Sequence, residues 1–268
     1  MARVLAETTL ELTDSRTPIS FVKTGTDNWP VWNRFIYLNG QPACEIGNIC
    51  NTCQFDFERL GGASPGVDSK YVIEQLNDGV ASLEPELLRT VAAIVPAGRY
   101  RAVLLKVWPQ LVKLGGPLDY FAHEQVALWG VEGFWGLPHY PKIQYYRGTD
   151  DDLGEKRKAY EFIVPLFPQG WLDEERVAHY QRELEAGKTP TAISLSVLDV
   201  KGPAWLNPDN PLPEFREHWC LAHYLLDGHH KLYAASGLGK LIHLLAFIAL
   251  DECIVDEEAN FDTLLQAI

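Results

Sequence analysis

No stretch of this sequence is apolar for long enough to cross a bilayer. The longest run, Leu241 to Leu250, is interrupted by His243 and is far short of the roughly 20 residues a transmembrane helix needs. The N-terminal segment lacks the apolar core and small-residue cleavage site of a signal peptide, so a soluble protein is expected. Positive charge is scarce: 23 Lys and Arg stand against 36 Asp and Glu, a net −13. Such a surface repels nucleic acid and anionic membranes, so neither is expected as a partner. Any anionic ligand must then be held by a local site. Cysteine is sparse and odd in number, five residues without the spacing of a disulfide framework, which fits a reducing cytoplasm. Internal repeats and low-complexity tracts are also missing.

What is present is ordinary for a globular chain: 47% hydrophobic and 22% charged residues, enough to build real cores. The segment up to about residue 67 reads as irregular and rich in turns. Within it, Phe35–Leu38 and Gln41–Ile46 flank Asn39-Gly40, the signature of a hairpin with a primed turn. A Gly-rich break at 61–66 follows. Asp68 is a candidate cap for a helix over 69–77 ended by Asp78-Gly79, and a second helix, with Pro85 early, is expected to reach about Ile94. Arg99–Val107 alternates as a strand, with Tyr100, Ala102 and Leu104 on one face and Val103, Leu105 and Val107 on the other. Asp119–Trp129 suggests a short helix before Gly130, Gly133 and Gly136. The charged run 149–158 reads as a solvated loop, and Tyr160–Phe167 as a strand.

The last third is the most regular. Leu172–Ala186 carries Val177, Tyr180 and Leu184 on one stripe, with Asp173, Glu174 and Glu175 in its first turn and Gly187 as its stop. Strands are expected over Thr191–Val200, Trp219–Leu226 and Leu241–Leu250. A Pro- and Asn-rich insertion, 201–213, separates the first two. Between the second and third lies Asp227-Gly228-His229-His230-Lys231, followed by a helix over about 230–238 that Gly239 ends. A strand that enters a Gly turn and then a helix gathers free backbone N–H groups in one place. The helix dipole adds partial positive charge there, and two imidazoles and an ammonium supply further donors. This is a recipe for holding phosphate oxygens.

These residues carry a resemblance. Leu172–Gly187, Thr191–Val197, Tyr224-Leu-Leu-Asp-Gly-His-His-Lys-Leu-Tyr-Ala-Ala235 and Gly239–Leu250 together resemble the ParB/sulfiredoxin superfamily, over under a third of the chain. There, a strand enters a loop whose basic residues hold nucleotide phosphates. The resemblance implies a nucleotide site with Gly228, His229, His230 and Lys231 on the phosphates. Two departures stand out: Lys231 replaces the usual Arg, a point charge in place of a bidentate fork, and the insertion after Val200 is absent from shorter members. The DNA-partitioning members carry a DNA-binding helical domain after this unit; the short stretch after Asp251 and the acidic charge argue against that role. Other members transfer the γ-phosphate of ATP to a small acceptor with Mg²⁺, chemistry that needs positioning and charge neutralisation. Asp227, Glu174, Glu175 and Asp199 are candidates for the required carboxylate, with Asp227, Glu174 and Glu175 taken forward. Asp227 also fits a capping role.

Outside the loop, Cys50-Asn-Thr-Cys53 with Cys44 nearby admits three readings. Cys44, Cys50 and Cys53 could be zinc ligands with a distant His or Cys220 as the fourth, Cys50 and Cys53 could be a redox dithiol, or all could be plain buried thiols. Cys220 and Cys253 fit the core. His218 and His223, five apart on a strand, should face opposite sides, and His123-Glu124 fits a structural role. The expected protein is therefore α/β (α+β), with an N-terminal α+β portion (1–167) of no recognised fold and a ParB/sulfiredoxin-like unit (168–268) packed as one body. Its expected activity is an ATP-dependent phosphotransferase acting on an unknown small-molecule acceptor, with ATP and Mg²⁺, and with Zn²⁺ as a further candidate. The alternative is a non-catalytic nucleotide-binding switch or partner-binding protein.

Overall fold

The computed structural model describes residues 3–13, 17–63, 69–130, 141, 143–206, 208, 211–255 and 259–268. The expected cap Asp68, together with Gly133 and Gly136, lies outside them. The protein is a mixed α+β structure. Its strands are β1 Val4–Leu12, β2 Ile19–Thr26, β3 Trp29–Leu38, β4 Gln41–Asn48, β5 Glu58–Arg59, β6 Gly98–Val107, β7 Gln110–Leu111, β8 Tyr146–Arg147, β9 Asp151–Gly154, β10 Arg157–Pro165, β11 Thr191–Lys201, β12 Glu217–Asp227 and β13 Ile242–Ala249. Its helices are α1 Lys70–Asp78, α2 Pro85–Ala92, α3 Glu124–Trp129, α4 Glu174–Glu185, α5 His229–Leu238 and α6 Ala259–Ala267.

A large mixed sheet runs in the order β1-β6-β13-β11-β12-β10-β8-β7, with β9 paired to β10; a smaller antiparallel sheet runs β2-β3-β4-β5. The large sheet takes strands from both sides of residue 167, with β10 lying parallel to β12. It is strongly curled. Arg3, just ahead of β1, bonds Glu161 of β10 and Asp151 of β9, although four strands separate β1 from β10 in the sheet order. At about 4.8 Å per strand, a flat sheet would put that contact out of reach of an arginine.

Alternation along the strands sorts the core into two layers. Tyr100, Ala102, Leu104, Ile193, Leu195, Val197, Phe162 and Phe247 face one side, where β3, β4, α1 and α2 cover them. Val103, Leu105, Val107, Leu198, Leu221 and Ile248 face the other, under α4, α5 and α6. This is the division of faces that the β6 alternation predicts. The Asn39-Gly40 hairpin is present, and both turn residues have positive φ, 52° and 73°, as a primed turn requires. Helix α1 is capped by Ser69, whose side chain accepts from the Val72 N–H. Helix α4 is capped by Asp173, which accepts from the Arg176 N–H.

Two expectations need correction. The first 67 residues are not irregular: β1 to β5 lie there, with β1 pairing β6 along nearly its whole length. The charged run 149–158 is not a loop but the β9–β10 hairpin, turning on Glu155 and Lys156 at φ 53° and 64°. Neither residue is one whose side chain ordinarily announces a left-handed turn.

Between the two sheets lies a buried ion pair. Arg34 of β3 donates to both carboxylate oxygens of Asp199 on β11, at 3.0 and 2.5 Å. Both side chains are almost fully enclosed. Lys201 Nζ is 3.8 Å from the same carboxylate. Burial lowers the Lys201 pKa, with Asp199 opposing that shift. Asp199 is thereby engaged in holding the two sheets together.

Candidate functional site

The directions of the strands gather one corner of the molecule. β10 and β12 are parallel, β11 runs against β12, and β13 runs with β11. The last residues of β10 and β12 and the first of β11 and β13 therefore meet at the same end of the sheet. Helices α4 and α5 start there too. Ligands of α/β sheets commonly bind outside the carboxyl ends of parallel strands. The Asp-Gly-His-His-Lys segment occupies this position between β12 and α5.

Gly228 makes the turn possible. Its φ is 96°, and a Cβ there would lie 2.6 Å from the Cβ of Ala192. Both the left-handed backbone and the close approach to β11 thus require glycine. As the N-cap of α5 it brings no side-chain cap to the helix. The N–H groups of a helix's first turn have no acceptor within the helix, and they carry the positive end of the dipole.

The three basic side chains each tie α5 to a different segment. His229 Nε2 accepts from the Leu166 N–H just past β10, at 3.2 Å. His230 Nε2 accepts from the Asp173 N–H at the start of α4, at 3.1 Å. Lys231 Nζ donates to the Thr191 carbonyl at the start of β11, at 3.0 Å, and sits 5.7 Å from the centre of the Tyr180 ring. With Nε2 accepting, each neutral ring carries its proton on Nδ1. His229 is buried against Phe167, ring centres 3.8 Å apart. Burial, with His230 adding to it, pushes its pKa down to about 3. His230 is half-buried; burial and then Arg176 lower its pKa, while Asp173 and Asp227 oppose. Burial brings Lys231 down to about 8, with Asp227 opposing and Arg176 assisting.

The motif therefore clasps the corner as well as lining it. Gly228, His229 and Lys231, expected on the phosphates, are instead buried, and the groups nearest the surface are His230, Asp227 and Arg176. Asp227 lies 3.8 Å from the Lys231 ammonium and is partly exposed. Glu174 and Glu175 are exposed on the first turn of α4. There they favour that helix's dipole, and they are not gathered with Asp227 into a cluster able to hold a metal ion. Sequence reasoning missed Arg176: a lone Arg in a helix gives no signal until α4 is placed against α5. A shallow recess adjoins His229, lined by Leu111, Tyr146, Phe167 and Leu172 with Gln144 and Gln169. Its enclosed space is about that of one water, so it is not a preformed pocket for a small molecule.

A second polar group was not foreseen. Ser194 Oγ lies 3.0 Å from Ser196 Oγ, and Ser196 Oγ is 2.8 Å from His223 Nδ1. His223 Nε2 is 3.2 Å from Glu161, which also takes the Arg3 guanidinium at 2.6 Å. Burial pushes Glu161 up, but Arg3 and His223 outweigh it and bring the carboxyl down to about 2. The order serine, histidine, carboxylate is that of a hydrolase. Yet Ser196 and His223 have 0% of their surface exposed and lie mid-strand, so no substrate carbonyl reaches the hydroxyl, and the group reads as a satisfied buried network. On the opposite face of β12, His218 Nδ1 is 2.9 Å from the Tyr120 hydroxyl, so the two histidines do face opposite sides. His123 Nε2 lies 3.0 Å from the Gly116 carbonyl oxygen, and Glu124 pairs with Arg147.

The candidate zinc ligands are not arranged as a metal site. Cys50 and Cys53 are joined to each other as a disulfide, and the Cys44 thiol is buried in β4, donating to the Glu45 carbonyl. Among the described residues no group of three or more His, Cys, Asp or Glu is placed to hold a metal ion. The donors zinc would need are thus already engaged. Among the same residues no helix is long and apolar enough to cross a membrane. No family model, curated protein or solved structure matches the chain.

Proposed function

We propose that the protein binds a nucleotide at the start of α5 and, with Mg²⁺, passes a phosphoryl group from ATP to a small acceptor. The observation that carries this reading is the uncapped opening of α5. It lies at the carboxyl ends of two parallel strands, and the neighbouring Lys231 ammonium is bonded to a neutral backbone carbonyl. The first-turn amides, the Nδ1–H of His230 and the Arg176 guanidinium form a donor set suited to phosphate oxygens. Gly228 lets the chain turn closely past Ala192 of β11, while His229 and Lys231 position the corner through Leu166 and Thr191.

Asp227 is the carboxylate placed to accept a proton from the acceptor or to help hold Mg²⁺, which commonly binds proteins through one or two carboxylates. Mg²⁺ would neutralise phosphate charge. Glu174 and Glu175 stand further out, where they bias the approach of an acceptor and are the weaker candidates for the chemistry. The similarity of the 172–250 segment to the ParB/sulfiredoxin superfamily supports the nucleotide as ligand.

The test is a titration of the full chain with ATP, CTP and Mg²⁺, followed by assay of ADP formation against a panel of small hydroxyl-bearing acceptors. Saturable binding with acceptor-dependent ADP is the expected result. Binding without turnover would leave the non-catalytic nucleotide-binding switch as the correct reading. Absence of binding by either nucleotide would remove both.

A further inference from the structure

The proposed nucleotide site leaves Cys50-Asn-Thr-Cys53 unused, at the opposite end of β11. Both residues are half-buried, whereas Cys44 and Cys220 have 0% of their surface exposed. Burial drives those two thiols well above the ordinary range and Cys253 up to about 12. The chain thus separates its cysteines into a bonded pair and three suppressed thiols.

The loop that carries the pair is held by bonds independent of sulfur. Lys201 Nζ, at the end of β11, donates to the Cys50 carbonyl at 2.6 Å and to the Asn48 carbonyl at 3.4 Å. The Gly202 N–H donates to the Asn51 carbonyl at 3.0 Å. Trp129 Nε1 donates to the Thr52 carbonyl at 3.2 Å, and the Cys50 N–H is fixed by Asn48 Oδ1 at 2.9 Å. Breaking the disulfide therefore leaves the two sulfurs adjacent. The Thr52 hydroxyl, 3.3 Å from Cys50 Sγ, is placed to donate to that sulfur and so favours negative charge on it.

The geometry points to Cys50 and Cys53 as a reversible thiol–disulfide couple, with Cys50 as the attacking thiolate and a low-molecular-weight disulfide of the glutathione class as its oxidant. In the oxidising direction the Cys50 thiolate attacks one sulfur of RS–SR, forming the Cys50–SR bond and releasing RS⁻. The Cys53 thiolate then attacks Cys50 Sγ, forming the Cys50–Cys53 bond and releasing a second RS⁻. Two electrons and the two cysteine protons pass to the reagent, which leaves as two RSH. Excess RSH drives the reverse.

The experiment uses the folded full-length protein, equilibrated in buffers of stepped reduced-to-oxidised glutathione ratio, quenched by alkylation and weighed intact. Two thiols are expected to disappear together as the ratio falls and to return when it rises. Cys53→Ser should trap a single glutathione on Cys50. Adding Thr52→Val, at an exposed side chain, should slow alkylation of Cys50 in that variant several-fold. A disulfide that opens only after the protein is unfolded would mark the bond as a structural staple and overturn the proposal. So would alkylation of Cys50 no faster than that of an unstructured cysteine peptide at the same pH.

Discussion

Two buried clusters of charge sit on the same β11–β12 framework and are resolved in opposite ways. Between the sheets, the Arg34 guanidinium is closed onto the Asp199 carboxylate, with further bonds to the Ile46 and Glu252 carbonyls. Charge there is cancelled by charge, in a site that admits nothing else. At the α5 corner, Lys231 is bonded to a carbonyl and His229 and His230 to backbone amides; of the nearby carboxylates, Asp227 stands 3.8 Å from Lys231 and Asp173 is engaged as the cap of α4. The uncapped start of α5 adds positive character, whereas that of α4 is offset by Asp173, Glu174 and Glu175. The first arrangement holds a fold together; the second, on the proposed reading, holds it while leaving an attraction for an anion. Burial of a cation is thus no guide to its role until its partner is known.

Breaking the ion pair should have the largest effect on stability. Asp199→Ala strands a buried guanidinium and should cost about 3–5 kcal/mol, read as a drop in the urea midpoint. Replacing Arg34 and Asp199 together with Met and Leu should recover most of it, whereas the corner allows no such compensation.

Acidification should separate the clusters next. His229 and His218 are each held down to about 3, in both cases chiefly by burial, so below about 6.5 the unfolded chain takes up protons that the folded chain refuses. Stability is therefore complete above that pH. It falls as pH drops towards 3, at up to about 1.4 kcal/mol per pH unit for each ring. Urea midpoints across this range should show the fall, and His229→Gln should make it shallower.

Gly228→Ala should lower stability by about 1–3 kcal/mol through its positive φ and its clash with Ala192, and should weaken nucleotide binding in parallel. His230→Ala should be milder for the fold but reduce nucleotide affinity roughly 10- to 100-fold, the scale of one charge-assisted hydrogen bond. The smallest effect belongs to exposed Arg176: its alanine variant should bind a few-fold more weakly at low salt, and the difference should vanish as salt screens it.

Much of this was legible in the sequence because the signals are local. Asn39-Gly40, the stops at Gly79, Gly187 and Gly239, and the alternation of Tyr100 to Val107 each depend on near neighbours and are present in the structure. The exact cap of α1 was one residue off, since Ser69 rather than Asp68 lies next to the helix. β1 was missed because its alternation is only half-buried, and its partner β6 lies far along the chain. The hairpin at Glu155-Lys156 was missed because those side chains do not advertise positive φ. At the candidate site, the Gly turn and the helix start could be read directly. The partners of the two imidazoles could not, because Leu166 and Asp173 lie 63 and 57 residues away.

The central claim is that the opening of α5 receives an anion, and amide NMR of the isotope-labelled protein during titration with Mg²⁺–ATP tests it most directly. The account predicts saturable shifts at the backbone N–H groups of residues 228–232, with smaller ones at 173–176, all lost in His230→Ala. Shifts that leave 228–232 untouched while other residues respond, or no saturable response at all, would contradict it.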